Sequence, residues 1–100
     1  MLSPTPPASL LDRQGRPYFL WDLDLSLEEL QERLRSPDPV VRIHFLGKLL
    51  RQAKPDDALQ LVSLAEIAEV WPQLAPALGR QHDFWRWLLA KKGFDAGADR

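Results

Sequence analysis

Hydrophobic residues recur at helical spacing along most of the chain, and they are densest between residues 38 and 53. This stretch reads DPVVRIHFLGKLLRQA, and its first two residues, Asp38 and Pro39, are typical of a helix start. Its apolar side chains cover about half of the helix circumference, so the helix requires neighbours on at least two flanks. We therefore predict that residues 38–53 form the central helix of a small helical domain.

Similar signals predict further helices on both sides of the central one. Two pairs of residues have the spacing of a capping box: Ser26 with Glu29, and Ser63 with Glu66. Pro55 suits the first position of another helix, and a last helix is expected from about residue 80 to residue 92, before Gly93. These signals predict an all-α fold, a small bundle of five or six helices.

The domain is expected to lie between two less regular ends. Residues 1–16 contain three prolines and no sustained periodicity, which predicts a flexible, extended N-terminal arm. Residues 17–93 are predicted to form a single helical domain, and residues 94–100 a loose C-terminal tail. The domain begins with the aromatic segment 17–25, PYFLWDLDL, which we expect to be an extended strip that seals one end of the core.

Arg42 falls inside the apolar stripe of the central helix. A guanidinium is tolerated there only if a carboxylate or carbonyl oxygens meet it. Asp22 and Asp24 are the acidic residues of the aromatic strip, so we predict a structural ion pair between Arg42 and one of them. Lys48, on the polar side of the same helix, is expected to reach solvent.

Composition and charge narrow the classes of function. The chain has 13 basic and 14 acidic residues, so it lacks the strong field that concentrates nucleic acid or anionic lipid. It contains no cysteine, and no apolar run approaches the length of a membrane span. We expect a cytoplasmic protein without a membrane partner.

No catalytic or metal-binding constellation stands out. The two histidines, His44 and His82, have no spacing to acidic residues that would indicate a metal site or a catalytic triad. Residues 22–26, DLDLS, resemble the nucleophile motif of haloacid-dehalogenase-type phosphatases, but Leu25 stands where that motif has glycine and the rest of the chain reads as helices. We therefore interpret both aspartates as structural, and expect no catalytic residue, metal or cofactor.

The aromatic residues of the last helix indicate a protein interface. Trp85 and Trp87 differ by about 200° around a helix, so they cannot both point into one core contact. One of them is expected to be an exposed anchor, because tryptophan is enriched at binding hot spots. The candidate interface is Trp85, Trp87, Arg86 and His82.

A DNA-binding function is the alternative interpretation. Residues 63–70, SLAEIAEV, resemble the first helix of a helix-turn-helix motif. The following residues 71–79, WPQLAPALG, contain no basic residue, whereas a recognition helix should present polar and basic groups to a groove. A small helix-turn-helix-like regulator is therefore the second hypothesis, after a protein-binding module.

Two resemblances extend this interpretation. Residues 34–62 resemble a single HEAT-repeat unit, which implies a HEAT-like helix pair at the centre of the fold. Residues 17–93 resemble a poorly characterised family of small bacterial proteins. The features that carry this resemblance are the segments PYFLWDLD, EEL, SLAEI, WPQL and FWRWLL, together with Arg42. Members are often encoded beside nucleotidyltransferases of the abortive-infection toxin type, so this resemblance implies an antitoxin-like component with a nucleotidyltransferase partner, and it supplies no catalytic residues.

Overall fold

The computed structural model describes residues 5–13, 15–20 and 22–94. These residues contain seven α-helices: α1 (Pro7–Leu10), α2 (Leu27–Leu34), α3 (Pro39–Gln52), α4 (Pro55–Leu61), α5 (Leu64–Glu69), α6 (Trp71–Leu74) and α7 (His82–Lys91). They also contain three turns of 3-10 helix: Tyr18–Leu20, Ala75–Ala77 and Gly79–Gln81. No strand occurs among the described residues, and the predicted all-α bundle is confirmed, with six α-helices after residue 17.

The helices begin where local side chains satisfy their free N–H groups. Ser26 Oγ accepts from the Glu29 N–H at 3.2 Å, and Glu29 Oε1 accepts from the Ser26 N–H at 3.0 Å, which completes the capping box of α2. The second predicted capping box, at the start of α5, is also present. Asp38 caps α3 by accepting from the Val40 N–H at 2.9 Å.

Helix α3 is the centre of the bundle, as its wide apolar stripe predicts. It contacts α2, α4, α6 and the 3-10 turn Tyr18–Leu20, so its neighbours cover several flanks. Gly47 faces the α6 region, where a Cβ atom at this position would be in van der Waals contact with Ala77 Cβ at 3.4 Å. The buried core is formed mainly by leucines, with Trp71, Trp85 and Phe19 as its largest members. The α3–α4 pair corresponds to the segment that resembles a HEAT unit, although α4 has only 7 residues.

The N-terminal segment departs from the predicted extended arm. It contains the helical turn α1, and Leu11 forms an isolated antiparallel bridge with Pro17. Thr5 is hydrogen-bonded to Asp57 in α4, which ties the beginning of this segment to the bundle. Residues 1–4 lie outside the described residues, and the mobility of the arm stays a prediction.

The aromatic strip and the C-terminal end also differ from expectation. The strip is not extended throughout, because Tyr18–Leu20 forms a 3-10 turn that buries Phe19 and Leu20. Helix α7 ends at Lys91, before Gly93 as predicted; Gly93 has a positive φ of 87°, and the Phe94 N–H donates to the Leu89 carbonyl at 2.8 Å. Phe94, the first residue of the predicted loose tail, packs against the core, and residues 95–100 lie outside the described part of the chain.

Candidate functional site

Helix α7 turns its two tryptophans to opposite sides, as their spacing predicts. Trp85 is fully buried, and its Nε1–H donates to the Leu50 carbonyl in α3 at 3.0 Å. Trp87 is 55% exposed. Trp85 therefore belongs to the core, and Trp87 is the one that remains as a candidate interface anchor.

Trp87 is surrounded by side chains that give it a defined position. Its ring centroid lies 6.1 Å from that of Phe84, one turn earlier on α7. Lys91 Nζ lies 5.4 Å from the Trp87 ring centroid on the other side, a cation–π geometry. Arg86, the residue before Trp87, is exposed about 100° away around the helix. We call the surface formed by Phe84, Arg86, Trp87 and Lys91 the Trp87 face.

His82, the fourth predicted interface residue, lies on another side of α7. Its ring centroid is 5.4 Å from that of the buried Trp71, and its Nδ1 lies 2.9 Å from Asp83 Oδ1. His82 and Trp87 are separated by about 140° around the helix, so the structure does not bring them together. Trp85 and His82 are thus placed toward the core, whereas Arg86 and Trp87 are exposed.

The predicted ion pair of Arg42 with Asp22 or Asp24 is wrong. Arg42 is half-buried, but its Nη1 donates to the Ser36 carbonyl, at 2.7 Å, in the turn before α3. Asp22 and Asp24 pair with other basic residues. The reason is position along the helix: the aromatic strip crosses the C-terminal half of α3, and Arg42 lies about 9 Å before that point.

Lys48, and not Arg42, makes the ion pair with the aromatic strip. It is only 8% exposed, and its Nζ lies 2.5 Å from Asp22 Oδ2. Gln52, one turn later, donates through Nε2 to the Phe19 carbonyl at 2.9 Å and to Asp22 Oδ1 at 3.3 Å. The Lys48 hydrogen bond is the main cause that holds the pKa of Asp22 below its ordinary value. The strip thus covers the side of α3 that the helical pattern assigned to solvent.

Asp57 is a second buried polar residue, and it was not singled out in the sequence. It is 3% exposed, and its carboxylate accepts three hydrogen bonds of 2.6 Å, from the Thr5 N–H, the Thr5 hydroxyl and the Tyr18 hydroxyl. Tyr18 in turn accepts from the Lys54 N–H at 3.0 Å. Burial raises the pKa of Asp57, but the hydrogen bonds from Thr5 and Tyr18 outweigh burial and the pKa is lowered.

The same interaction affects Tyr18. Burial and the neighbouring Asp57 carboxylate raise the pKa of its phenol. In the sequence, Asp57 looked like an ordinary acidic residue in the first turn of α4, and no local signal indicates that a residue 52 positions earlier would cover it. We call the contacts of Lys48 and Asp57 with residues 5–22 the N-terminal seam.

The geometry offers little support for a phosphatase site, a metal site or a DNA-binding helix-turn-helix. The turn that contains Asp22 and Asp24 follows no strand within the described residues, so it lacks the support that the phosphatase nucleophile motif requires. The described residues contain no group of three or more side chains that could hold a metal ion. Helix α6 follows α5 directly, where a helix-turn-helix would have its recognition helix. It has only 4 residues, and its exposed Pro72 and Gln73 are uncharged.

No described helix has the length and apolar character needed to cross a membrane. Comparison with known proteins adds no family to this description: no protein-family model, no curated protein and no solved structure matches the chain.

Proposed function

We propose that the chain is a non-catalytic protein-interaction module that binds its partner through the Trp87 face. The exposure of Trp87 carries this proposal. Trp71 and Trp85, the other tryptophans that the structure describes, are both buried, whereas Trp87 leaves 55% of its surface in water. An exposed tryptophan is a large apolar surface whose burial by a partner is favourable, and tryptophan is the residue type most often found as a binding hot spot.

The surroundings of Trp87 support the proposal as well. Phe84 and Lys91 contact the ring from opposite sides along the helix, so the ring is held before a partner arrives. A side chain that is already ordered loses less conformational entropy on binding than a free one. Helix α7 itself is fixed to the bundle through buried Trp85 and Leu89, which makes its outer surface a rigid platform.

The identity of the partner is proposed from the resemblance to the small bacterial family. Its members are often encoded beside nucleotidyltransferases of the abortive-infection toxin type. We therefore propose a nucleotidyltransferase as the partner, with this chain as its antitoxin-like component.

Co-expression tests this proposal. The full chain is expressed with a nucleotidyltransferase encoded beside its gene, and complex formation is measured by size-exclusion chromatography. We expect the wild-type chain to co-elute with the enzyme and Trp87→Ala to lose most of the complex, because truncation of a hot-spot tryptophan costs about 2 kcal/mol or more of binding free energy.

Val40→Ala is the matched control. Val40 is the other large hydrophobic residue that the structure shows exposed, at 75%, and it lies at the start of α3, outside the Trp87 face. Loss of the complex in Val40→Ala together with its retention in Trp87→Ala would contradict the proposed surface. Absence of any complex with the wild-type chain would contradict the proposed partner.

A helix-turn-helix-like DNA-binding regulator is the second candidate. The basic residues around α7 favour it, but the single helical turn of α6 offers no charged side chain to a groove. A salt-sensitive shift of duplex DNA by the wild-type chain, without binding of the nucleotidyltransferase, would favour this candidate over the first.

A further inference from the structure

We propose that the segment bound by the Trp87 face is an acidic peptide segment of the partner that carries one bulky apolar side chain. This inference rests on the proposed function, and it specifies the chemistry of the ligand. The apolar side chain would pack on Trp87 and Phe84, and the acidic residues beside it would meet the basic residues of the same surface.

The distribution of charge along the chain supports an acidic ligand. Residues 79–94 contain four basic residues, Arg80, Arg86, Lys91 and Lys92, and one acidic residue, Asp83. The remainder of the chain has nine basic and thirteen acidic residues. The Trp87 face therefore lies in a locally basic region of a molecule whose formal net charge is -1.

The basic residues of this region are also available. Arg80, Arg86, Lys91 and Lys92 are exposed, and none of them takes part in the ion pairs found among the described residues. Arg51, by comparison, donates one guanidinium N–H to the Ala77 carbonyl at 3.1 Å. Exposed cations without acidic partners favour a ligand that brings its own carboxylates.

Lys91 joins the apolar and the charged parts of the surface. Its ammonium lies against the Trp87 ring, and an ammonium has three N–H donors, so it can hold the ring and a carboxylate together. A carboxylate next to the bound apolar side chain would therefore lie within reach of Lys91. Arg86, on the other side of Trp87, would take a second carboxylate with its planar guanidinium.

A peptide fits this surface better than a nucleic acid. Asp83 precedes Trp87 by one helical turn, and its side chain is 98% exposed. A nucleic-acid strand has a phosphate at every nucleotide and would bring one close to this carboxylate, whereas a peptide can place an uncharged residue there. The one tryptophan exposed among the described residues also falls short of the series of aromatic residues on which successive bases stack.

Selection from a random 12-residue phage-displayed peptide library tests this inference. The full wild-type chain is the bait, and peptides that also bind Trp87→Ala are discarded. We expect the remaining peptides to be enriched in aspartate and glutamate around one bulky apolar residue. Synthetic peptides with each glutamate and aspartate changed to glutamine and asparagine should bind about tenfold more weakly.

Charge variants of the protein provide the second arm. The double substitution Arg86→Glu with Lys91→Glu should weaken binding of the acidic peptide about tenfold or more. The double substitution Arg86→Gln with Lys91→Gln should weaken this binding less. Arg35→Glu is the matched control, since Arg35 is an exposed residue at the end of α2 that forms no ion pair with another described residue. Thermal melts confirm that each variant is folded before its affinity is interpreted.

The outcomes separate this inference from the proposed function. Selected peptides that depend on Trp87 but are neutral or basic would overturn the acidic ligand and leave the interface standing. Failure to select any peptide that depends on Trp87 would contradict both. Tighter binding of a single-stranded oligonucleotide, dT20, than of any selected peptide would replace the peptide with a nucleic acid.

Discussion

The N-terminal seam buries charged side chains, whereas the Trp87 face exposes an aromatic side chain. In the seam, the charged residues Lys48 and Asp57 are drawn inside the protein, and hydrogen-bonding partners compensate them. On α7, the aromatic ring of Trp87 stays outside, and the basic residues around it have no acidic partner among the described residues. The polar groups of the seam are hydrogen-bonded within the protein. The apolar ring and the charges of the Trp87 face remain available to a partner.

This contrast separates stability from binding. A buried charge that has partners becomes costly when one partner is removed, so substitutions in the seam should lower the free energy of unfolding. An exposed ring contributes little to the folded state, so its removal should affect binding alone. Substitutions in the two regions test this separation.

Trp85→Ala and Trp87→Ala should differ more than any other pair. Trp85 fills the core and donates a hydrogen bond to Leu50, so its truncation should lower the free energy of unfolding by about 3–5 kcal/mol. Trp87→Ala should change it by no more than about 0.5 kcal/mol. Urea unfolding followed by circular dichroism measures both, and similar losses would show that Trp87 is part of the core.

Asp57→Ala should have the next largest effect. It leaves the Tyr18 hydroxyl and both Thr5 donors without their acceptor, which should cost about 1–3 kcal/mol. Glu32→Ala, at an exposed position of α2, serves as the control and should be nearly neutral. If both variants unfold at the same urea concentration, Thr5 and Tyr18 are not held by Asp57 in solution.

Lys48→Ala should destabilise the protein by about 1–2 kcal/mol, more than Arg42→Ala does. The structure reverses the order that the sequence suggested, because Lys48 meets Asp22 whereas Arg42 meets a backbone carbonyl. Lys48→Met keeps the apolar stem and removes the charge, so it isolates the ion pair. A larger loss in Arg42→Ala than in Lys48→Ala would contradict the greater contribution of the Lys48–Asp22 pair.

The dependence of stability on pH should be modest and should come from the seam. The pKa values of Asp22 and Asp57 are lowered from the ordinary value of 3.8. Their contribution to the free energy of unfolding is therefore complete above that value and is lost as the pH falls through the lower pKa of the folded state. The raised pKa of Tyr18 acts at the other end: its contribution is complete below the ordinary value of 10.0 and is lost as the pH rises above it. Asp57→Asn should flatten the acidic part of a plot of unfolding midpoint against pH. An unchanged acidic slope in this variant would assign the effect to other carboxylates.

The sequence predicted the parts of the fold that depend on neighbouring residues. Capping boxes, proline starts and the glycine stop are local, so the starts of α2, α3 and α5 and the end of α7 follow from them. The separation of Trp85 from Trp87 needed only the period of a helix. The sequence also predicted part of the candidate interface. The helical period indicates that either Trp85 or Trp87 is exposed, but it does not indicate which one.

The N-terminal seam could not be predicted in this way. Lys48 and Asp22 are 26 residues apart, and Thr5 and Asp57 are 52 apart. Their pairing depends on where the N-terminal segment crosses α3 and α4, and a helical pattern considered alone assigns Lys48 to solvent. The error about Arg42 has the same origin, because the strip that contains Asp22 packs one and a half turns further along α3.

Hydroxyl-radical footprinting of the full chain, free and bound to the tightest Trp87-dependent peptide, tests whether the Trp87 face is the binding surface. Mass spectrometry measures the oxidation rate of each tryptophan. We expect Trp87 to be oxidised rapidly in the free chain and protected in the complex, while Trp71 and Trp85 stay unreactive in both. An oxidation rate of Trp87 that is equally high with and without the peptide would contradict the Trp87 face as the binding surface.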